Sequence, residues 1–158
     1  MSVFNDEIRE DTLSLIDIDD NETQNSVKKG DIFFTISSET ANEVGMCSTI
    51  NFDKDNVYLN SFCFGYRLNN KDIDSNYLCY LLKTKNMRKK IINLGQGFTR
   101  VNLSKKQLLD LTIDIPSLEE QMKISNILKL EEIIIQLENN KLTKLQELKK
   151  GLMQSMFV

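Results

Sequence analysis

The sequence contains no histidine, and this absence excludes several kinds of active site. Histidine is the commonest general base at neutral pH, so neither a Ser-His-Asp triad nor a Cys-His pair can form from this chain. The cysteines at Cys47, Cys63 and Cys79 are isolated, and no pair has the close spacing of a zinc site. We therefore expect single buried thiols, no metal, no cofactor and no catalysis.

Long apolar runs are absent too. No stretch of about 20 apolar residues is present to cross a membrane, and the start, MSVFNDEIREDTL, lacks the apolar core of a signal peptide. The apolar fraction of 41% and the charged fraction of 27% are typical of globular proteins. A chain of 158 residues allows one compact domain with an extension. These features predict a cytoplasmic protein with no membrane partner.

Proline occurs only at Pro116, and the stretch after it predicts one long helix. Ser117 and Glu120 form a capping box, in which two free backbone N–H groups at the helix start are bonded by side chains. Apolar residues then recur at steps of three and four, with a phase shift after Asn139-Asn140. The stripe comprises Ile127, Leu130, Ile134, Leu137, Leu142, Leu145, Leu148 and Leu152. The helix could pack on its own domain, but the length of the stripe favours pairing with another helix.

The net charge of −3 conceals an uneven distribution. Between Met1 and Gly45 there are 11 acidic residues and three basic ones. Between Lys83 and Lys106 there are eight basic residues and no acidic one. An acid-free basic segment of this kind is typical of a surface that binds phosphate groups.

Residue patterns predict an α+β domain over residues 1–115, followed by a helical spacer or dimerisation region over 116–158. The expected helices run from Asp74 or Ser75 to about Asn93 and from Ser104 to about Asp110. The expected strands are Thr12–Ile16, Ile32–Ile36, Val44–Phe52, Val57–Leu68 and Leu111–Ile115. Residues 17–25 are expected to form a solvated loop.

Two polar stretches could contact DNA. In the first, a helix ending in Arg88-Lys89-Lys90 is followed by a glycine-rich loop that carries Gln96, Thr99 and Arg100. Arginine and glutamine can bind guanine and adenine edges, whereas lysines mostly contact the phosphate backbone. The second stretch is Ser37-Ser38-Glu39-Thr40. On these residues alone, a solvated helix end and an ordinary turn are the competing interpretations.

Four stretches, taken in order, resemble the specificity subunit of type I restriction-modification systems. The first joins Gly30–Thr35, Ser37–Thr40 and Glu43–Gly45, and the second runs from Tyr58 to Arg67. The third is Gly97–Ser104. The fourth combines Ile115-Pro116, Glu120-Gln121 and the leucine-rich helix that ends in Leu148–Gln154.

The resemblance implies a target-recognition domain that reads one half of a split site in double-stranded DNA. It also implies a non-catalytic role beside a modification subunit, which binds S-adenosylmethionine and methylates adenine, and a restriction subunit, which cleaves. Long helices would pair antiparallel and fix the gap between half-sites. The residues then expected to contact DNA are Ser37, Ser38, Glu39, Thr40, Arg67, Arg88, Lys89, Lys90, Gln96, Thr99 and Arg100.

The chain departs from the family pattern in two ways. Family members usually carry two recognition domains and two long helices, and the opening strands of the domain look missing here. The chain could be a half-subunit that forms a homodimer through its helix, a truncated gene product, or a deliberately shortened chain. The alternative function is a structural dimerisation or adaptor piece that does not bind DNA. An uncharacterised enzyme is the third hypothesis.

Overall fold

The computed structural model describes residues 7–19 and 21–157. Residues 1–6, Val158 and Asp20, which belongs to the predicted solvated loop, lie outside the described residues. Contacts divide the chain into two units, Met1–Gln121 and Met122–Val158. The first unit mixes sheets with short helices and the second is a helix, so the predicted α+β class is confirmed.

Two small sheets and three short helices make up most of the first unit. The strands are β1 (Glu7–Ile8), β2 (Ile32–Thr35), β3 (Ser37–Ser38), β4 (Cys47–Ile50), β5 (Cys63–Tyr66), β6 (Gly95–Gln96) and β7 (Val101–Leu103). The α-helices are α1 (Ser75–Lys83), α2 (Lys85–Asn93), α3 (Lys105–Leu109) and α4 (Leu118–Met156), and short 3-10 turns occupy Glu10–Thr12 and Ala41–Glu43.

The larger sheet has the strand order β1-β4-β2-β5, in which β1 and β4 are parallel and the other pairs antiparallel. Successive side chains of a strand point to opposite faces, so Phe33 and Phe34 enter different cores. Phe34 stacks on Phe64, with ring centroids 5.1 Å apart, in the main core that also receives α1 and α2. Phe33 joins Ile50 and Cys63 on the other face.

The three cysteines are buried free thiols, as the sequence predicted. Cys47 and Cys79 lie in the main core, where the Cys47 thiol donates to the Cys79 carbonyl at 3.6 Å. Cys63 lines a cavity of about 480 Å³ under the N-terminal segment, and burial raises the pKa of its thiol. We therefore expect slow reaction of Cys63 with thiol reagents, because the thiolate is the reactive form.

The N-cap hydrogen bonds predicted at Asp74 and Ser117 are confirmed, the latter being the serine half of the predicted capping box. Asp74 accepts a hydrogen bond from the backbone N–H of Tyr77 at 2.7 Å, and Ser117 accepts from Glu120 at 3.4 Å. Gln121, which is fully buried, joins these two helix starts. Its amide donates to the carbonyls of Asp72 and Pro116, and its oxygen accepts from the backbone of Asp74. The start of α4 is thereby fixed to the turn before α1.

Two of the predicted strands do not form. Of the strand predicted over Thr12–Ile16, Thr12 ends the 3-10 turn, residues 13–16 follow it without strand structure, and Leu15 is fully exposed. Residues 111–115 have no strand partner within the described chain, and the N–H of Leu111 donates instead to the carbonyl of Leu108 in the turn after α3. Alternating apolar residues indicate a strand only when a neighbouring strand supplies hydrogen bonds, which these two segments lack.

Three other elements are shorter than predicted, and of the strand expected over Val44–Phe52 only Cys47–Ile50 forms. The strand expected over Val57–Leu68 is interrupted because Asn60 forms a turn and accepts from the N–H of Phe62 at 3.0 Å. Only Cys63–Tyr66 is a strand, so Phe64 is buried while Phe62 is 54% exposed. The single helix expected to Asn93 divides at Thr84, whose extended backbone separates α1 from α2.

The second unit is the helix α4 from Met122 onward. All eight residues of the predicted apolar stripe fall in this helix, and their exposed fractions range from 52% to 62%. Homodimerisation through this stripe stays a prediction. No helix among the residues described has the length and apolar character needed to span a membrane.

Candidate nucleic-acid interface

The smaller sheet brings together two polar stretches that lie about sixty residues apart in the sequence. Its order is β3-β7-β6, with both pairs antiparallel. Asn102, in the central strand, is paired with Ser37 on one side and with Gln96 on the other. Directly paired residues point to the same face of a sheet. Ser37, Asn102 and Gln96 therefore form a polar row across three strands.

The opposite face of this sheet is anchored in the protein. Leu103 is 3% exposed and belongs to the main core, and Val101 packs against that core. Asn102 lies between them and is exposed. Asn102 was not among the residues predicted to contact DNA. The alternation in Val101-Asn102-Leu103 was the signal that could have identified it as a solvent-facing polar residue.

A tight hairpin connects β6 to β7. Gly97 has a φ of +120°, and a Cβ atom added there would lie 2.2 Å from the carbonyl oxygen of Arg100. Only glycine fits this turn without a backbone shift. The turn leaves Phe98, Thr99 and Arg100 exposed at the hairpin tip.

The hairpin meets the Ser37–Thr40 stretch through an ion pair. A guanidinium nitrogen of Arg100 donates to a carboxylate oxygen of Glu39 at 3.3 Å. The side chains are 53% and 80% exposed. Exposed pairs of this kind contribute about 1 kcal/mol or less. The pair can therefore open at low cost when a stronger partner for Arg100 approaches.

Ser38 and Glu43 shape the turn that carries Thr40. Ser38 donates to the Glu43 carboxylate at 2.8 Å and accepts from the backbone N–H of Thr40 at 3.1 Å. Ser38 is buried, whereas Glu39 and Thr40 are exposed. The Ser38 hydroxyl thus has a local structural use, and Glu39 and Thr40 are the members of this stretch that face solvent.

Arg88, a predicted DNA contact, is bound within the protein. Its guanidinium donates to the carbonyls of Asn42, Val44 and Gly45 at 2.8, 2.7 and 2.9 Å. Partial burial lowers the pKa of Arg88. The helix α2 thereby holds the turn that follows Thr40. The next residue, Lys89, is exposed, as is Lys90.

Arg67, another predicted DNA contact, is also bound within the protein. It makes two hydrogen bonds of 2.7 Å with the buried carboxylate of Asp31 and a third, of 3.3 Å, with the carbonyl of Ser26. The hydrogen bond to Asp31 raises the pKa of Arg67. Asp31 precedes β2, whereas Ser37 follows it. Arg67 therefore lies at the opposite end of β2 from the smaller sheet.

Nothing in residues 7–19 and 21–157 resembles a metal centre, since no three His, Cys, Asp or Glu side chains cluster there. The predicted site residues that the smaller sheet brings together are Ser37, Ser38, Glu39, Thr40, Gln96, Thr99 and Arg100. This surface combines donors and acceptors with an arginine, the groups that proteins use on base edges.

Residues 4–147 match the type I restriction modification DNA specificity domain. The chain belongs to this family. A similar protein, the type I restriction enzyme MjaVIII specificity subunit of Methanocaldococcus jannaschii, is 36% identical over 88 residues. The match covers 56% of this chain and 20% of that protein, so the chain matches about a fifth of that relative's length.

Membership of the specificity-domain family confirms the resemblance that four stretches of the sequence indicated. The match covers both the candidate interface and most of α4. Because the family consists of DNA specificity domains, membership favours sequence recognition over the alternative function of a structural adaptor.

Proposed function

We propose that this chain recognises DNA sequence within a type I restriction-modification complex, and that the smaller sheet with its hairpin contacts the bases. The main support is the pairing of β3 with β7, which joins Glu39 and Thr40 to the hairpin that carries Arg100. A two-stranded ribbon is narrow enough to enter the major groove, where each base pair presents a distinct pattern of donors and acceptors. Strand β7 is also paired with β3 at Val101 and Asn102, so we propose that the hairpin tip, residues 97–100, is the part that enters the groove.

The polar residues divide into two roles under this proposal. Arg100, Gln96 and Asn102 contact base edges, because their side chains can form paired hydrogen bonds with guanine or adenine. Lys89 and Lys90, exposed on α2, contact phosphates and position the domain. Thr99, Glu39 and Thr40 line the same surface, whereas the hydroxyl of Ser37 is buried.

Arg67 and Arg88 take a different role in this proposal from the one that the sequence suggested. Each guanidinium is committed to internal acceptors, so we assign both to the framework that supports the interface. Redirecting Arg88 to a phosphate would leave three carbonyls without their donor.

The complex supplies the chemistry that the chain lacks. We propose that a modification subunit methylates adenine at the site that this chain selects, and that the complete enzyme also includes a restriction subunit. The chain itself is proposed to be non-catalytic and to bind no cofactor. Because its substrate would be cellular DNA, a cytoplasmic location remains part of the proposal.

The helix α4 is proposed to join two copies of the chain. Residues 1–115 would serve as the recognition domain, and residues 116–158 as a spacer whose exposed apolar stripe pairs antiparallel with a second copy. Identical domains at both ends would recognise identical half-sites, so the target would be a symmetric sequence with a gap of fixed length.

Mapping of adenine methylation tests this proposal directly. The chain is co-expressed with the modification subunit encoded beside it, and methylated adenines are mapped across the host genome. A new, gapped motif that disappears when this chain is omitted supports sequence recognition. No new methylation, with both proteins purified as a complex, would contradict it and leave the adaptor function. A motif with unlike halves would contradict the homodimer alone.

A further inference from the structure

The tip of the hairpin presents an apolar side chain among polar ones. Phe98 is fully exposed, at 108% of its reference surface, and it is the one exposed large apolar residue between Gly95 and Leu103, all of which the structure describes. An aromatic ring of this size gains no stabilisation from burial in this position. Its exposure leaves the whole ring available to a partner outside the fold.

The backbone beneath Phe98 is firmly held. The pairs Gly95–Leu103 and Gln96–Asn102 fix the hairpin register, and Leu103 is buried in the main core. The side chain of Asn102 also donates to the carbonyl of Arg100 at 3.3 Å. With Gly97 closing the turn, the ring projects from a fixed point.

The residues around Phe98 indicate the kind of partner. Within four positions of the ring lie Gln96, Thr99, Arg100 and Asn102, which are exposed polar side chains. A protein partner would need a contiguous apolar patch, because protein interfaces have an apolar core. A single ring flanked by hydrogen-bonding groups instead fits DNA, into which proteins insert isolated apolar wedges between base steps.

We propose that Phe98 is an apolar wedge that stacks on, or inserts between, neighbouring bases while the flanking polar residues contact base edges. This inference rests on the proposed DNA recognition and adds a contact that hydrogen bonding does not supply. Insertion unstacks a base step and bends the duplex. The wedge would thus favour targets whose contacted step is easily unstacked, such as a pyrimidine–purine step.

The test uses the complex of this chain with its modification subunit and duplexes containing the mapped motif. Each duplex carries 2-aminopurine at one position of a half-site, and the fluorescence of this base rises when it loses its stacking neighbour. The variants are Phe98→Ala, which removes the ring, and Phe98→Trp, which keeps an aromatic surface. Phe62→Ala is the matched control, since Phe62 is an exposed phenylalanine outside the hairpin.

We expect the unchanged complex to raise fluorescence at one base step, Phe98→Trp to retain this signal, and Phe98→Ala to lose it. Binding by Phe98→Ala should be about tenfold weaker, given the usual contribution of one stacked base. Phe62→Ala should behave like the unchanged complex. Phe98 is fully exposed, so the unfolding temperatures of both Phe98 variants should agree closely with that of the unchanged complex.

Two results would overturn the inference while DNA recognition stands. In one, the unchanged complex binds its motif and Phe98→Ala binds equally well with the same fluorescence at every position. In the other, Phe98→Ala fails to assemble with the modification subunit, which would make the ring a protein contact. Absence of motif binding by the unchanged complex would instead overturn the proposed function.

Discussion

Arg100 and Glu39 form an ion pair across 61 positions of the sequence, with 3.3 Å between the guanidinium nitrogen and the carboxylate oxygen. The pairing of β3 with β7 makes this contact possible. In this structure, which contains no DNA, the Glu39 carboxylate is paired with the Arg100 guanidinium. Both side chains are exposed enough to separate. If Arg100 contacts DNA as proposed, Glu39 competes with the DNA for its guanidinium, and this competition can be measured.

Arg100→Ala and Lys89→Ala should weaken DNA binding in different ways. Loss of a base contact should cost about 1–3 kcal/mol and relax the choice of base at one motif position. Loss of a phosphate contact should weaken binding to every duplex and lower the slope of log affinity against log salt by about one. Titrations of target and scrambled duplexes at several salt concentrations separate the two effects. Equal losses on both duplexes for Arg100→Ala would argue against base contact.

Glu39→Gln should strengthen binding to scrambled DNA. The substitution removes a negative charge from the interface and frees Arg100, so non-specific affinity should rise several-fold at low salt. The ratio of specific to non-specific affinity should fall. Glu22→Gln, which changes the charge equally in an exposed loop, is the control. Identical affinities for both variants would mean that Glu39 lies away from the DNA.

Arg88→Met should destabilise the fold rather than alter base choice. The carbonyls of Asn42, Val44 and Gly45 would lose their donor, at a cost of about 2–3 kcal/mol. Lys89→Met is the matched control, because it removes the neighbouring exposed cation. Chemical unfolding followed by circular dichroism measures the difference. An unchanged midpoint for Arg88→Met would disprove the structural role assigned here.

Leu145→Glu with Leu148→Glu should separate a homodimer. Burying charges without partners costs several kcal/mol, which exceeds what a two-helix seam can tolerate. The control is Thr143→Glu with Gln146→Glu, which adds the same charge outside the apolar stripe. Sedimentation velocity gives the mass of each variant. If the double leucine variant keeps the mass of the parent protein, the stripe does not form the dimer contact.

The free energy of unfolding should depend on pH through the ionisation of the buried Cys63 thiol. Burial raises its pKa in the folded state, so the unfolded chain releases the thiol proton first. This contribution to stability is complete below about pH 8.5 and declines as the pH rises above it, by at most about 1.4 kcal/mol per unit. Cys63→Ala should show a shallower decline between pH 8 and 10.5. Parallel curves for the two proteins would rule out this contribution.

Local signals in the sequence predicted the helix starts correctly, because a cap depends on residues three positions apart. Asp74 with Tyr77 and Ser117 with Glu120 are examples. The strand at Val57–Leu68 was overestimated because Asn60 favours a turn that alternation does not reveal. The internal partners of Arg67 and Arg88 lie 36 to 46 positions away, so their roles depended on the tertiary fold.

The alternation in β7 separates residues that support the fold from residues that face solvent. Val101 and Leu103 are fixed by the core, whereas Asn102 between them and the tip residues Phe98 to Arg100 point to solvent. Substitutions at the outward positions leave folding largely unaffected. Under the proposed recognition, base choice at the hairpin can therefore be changed one residue at a time while the scaffold that holds the hairpin stays intact.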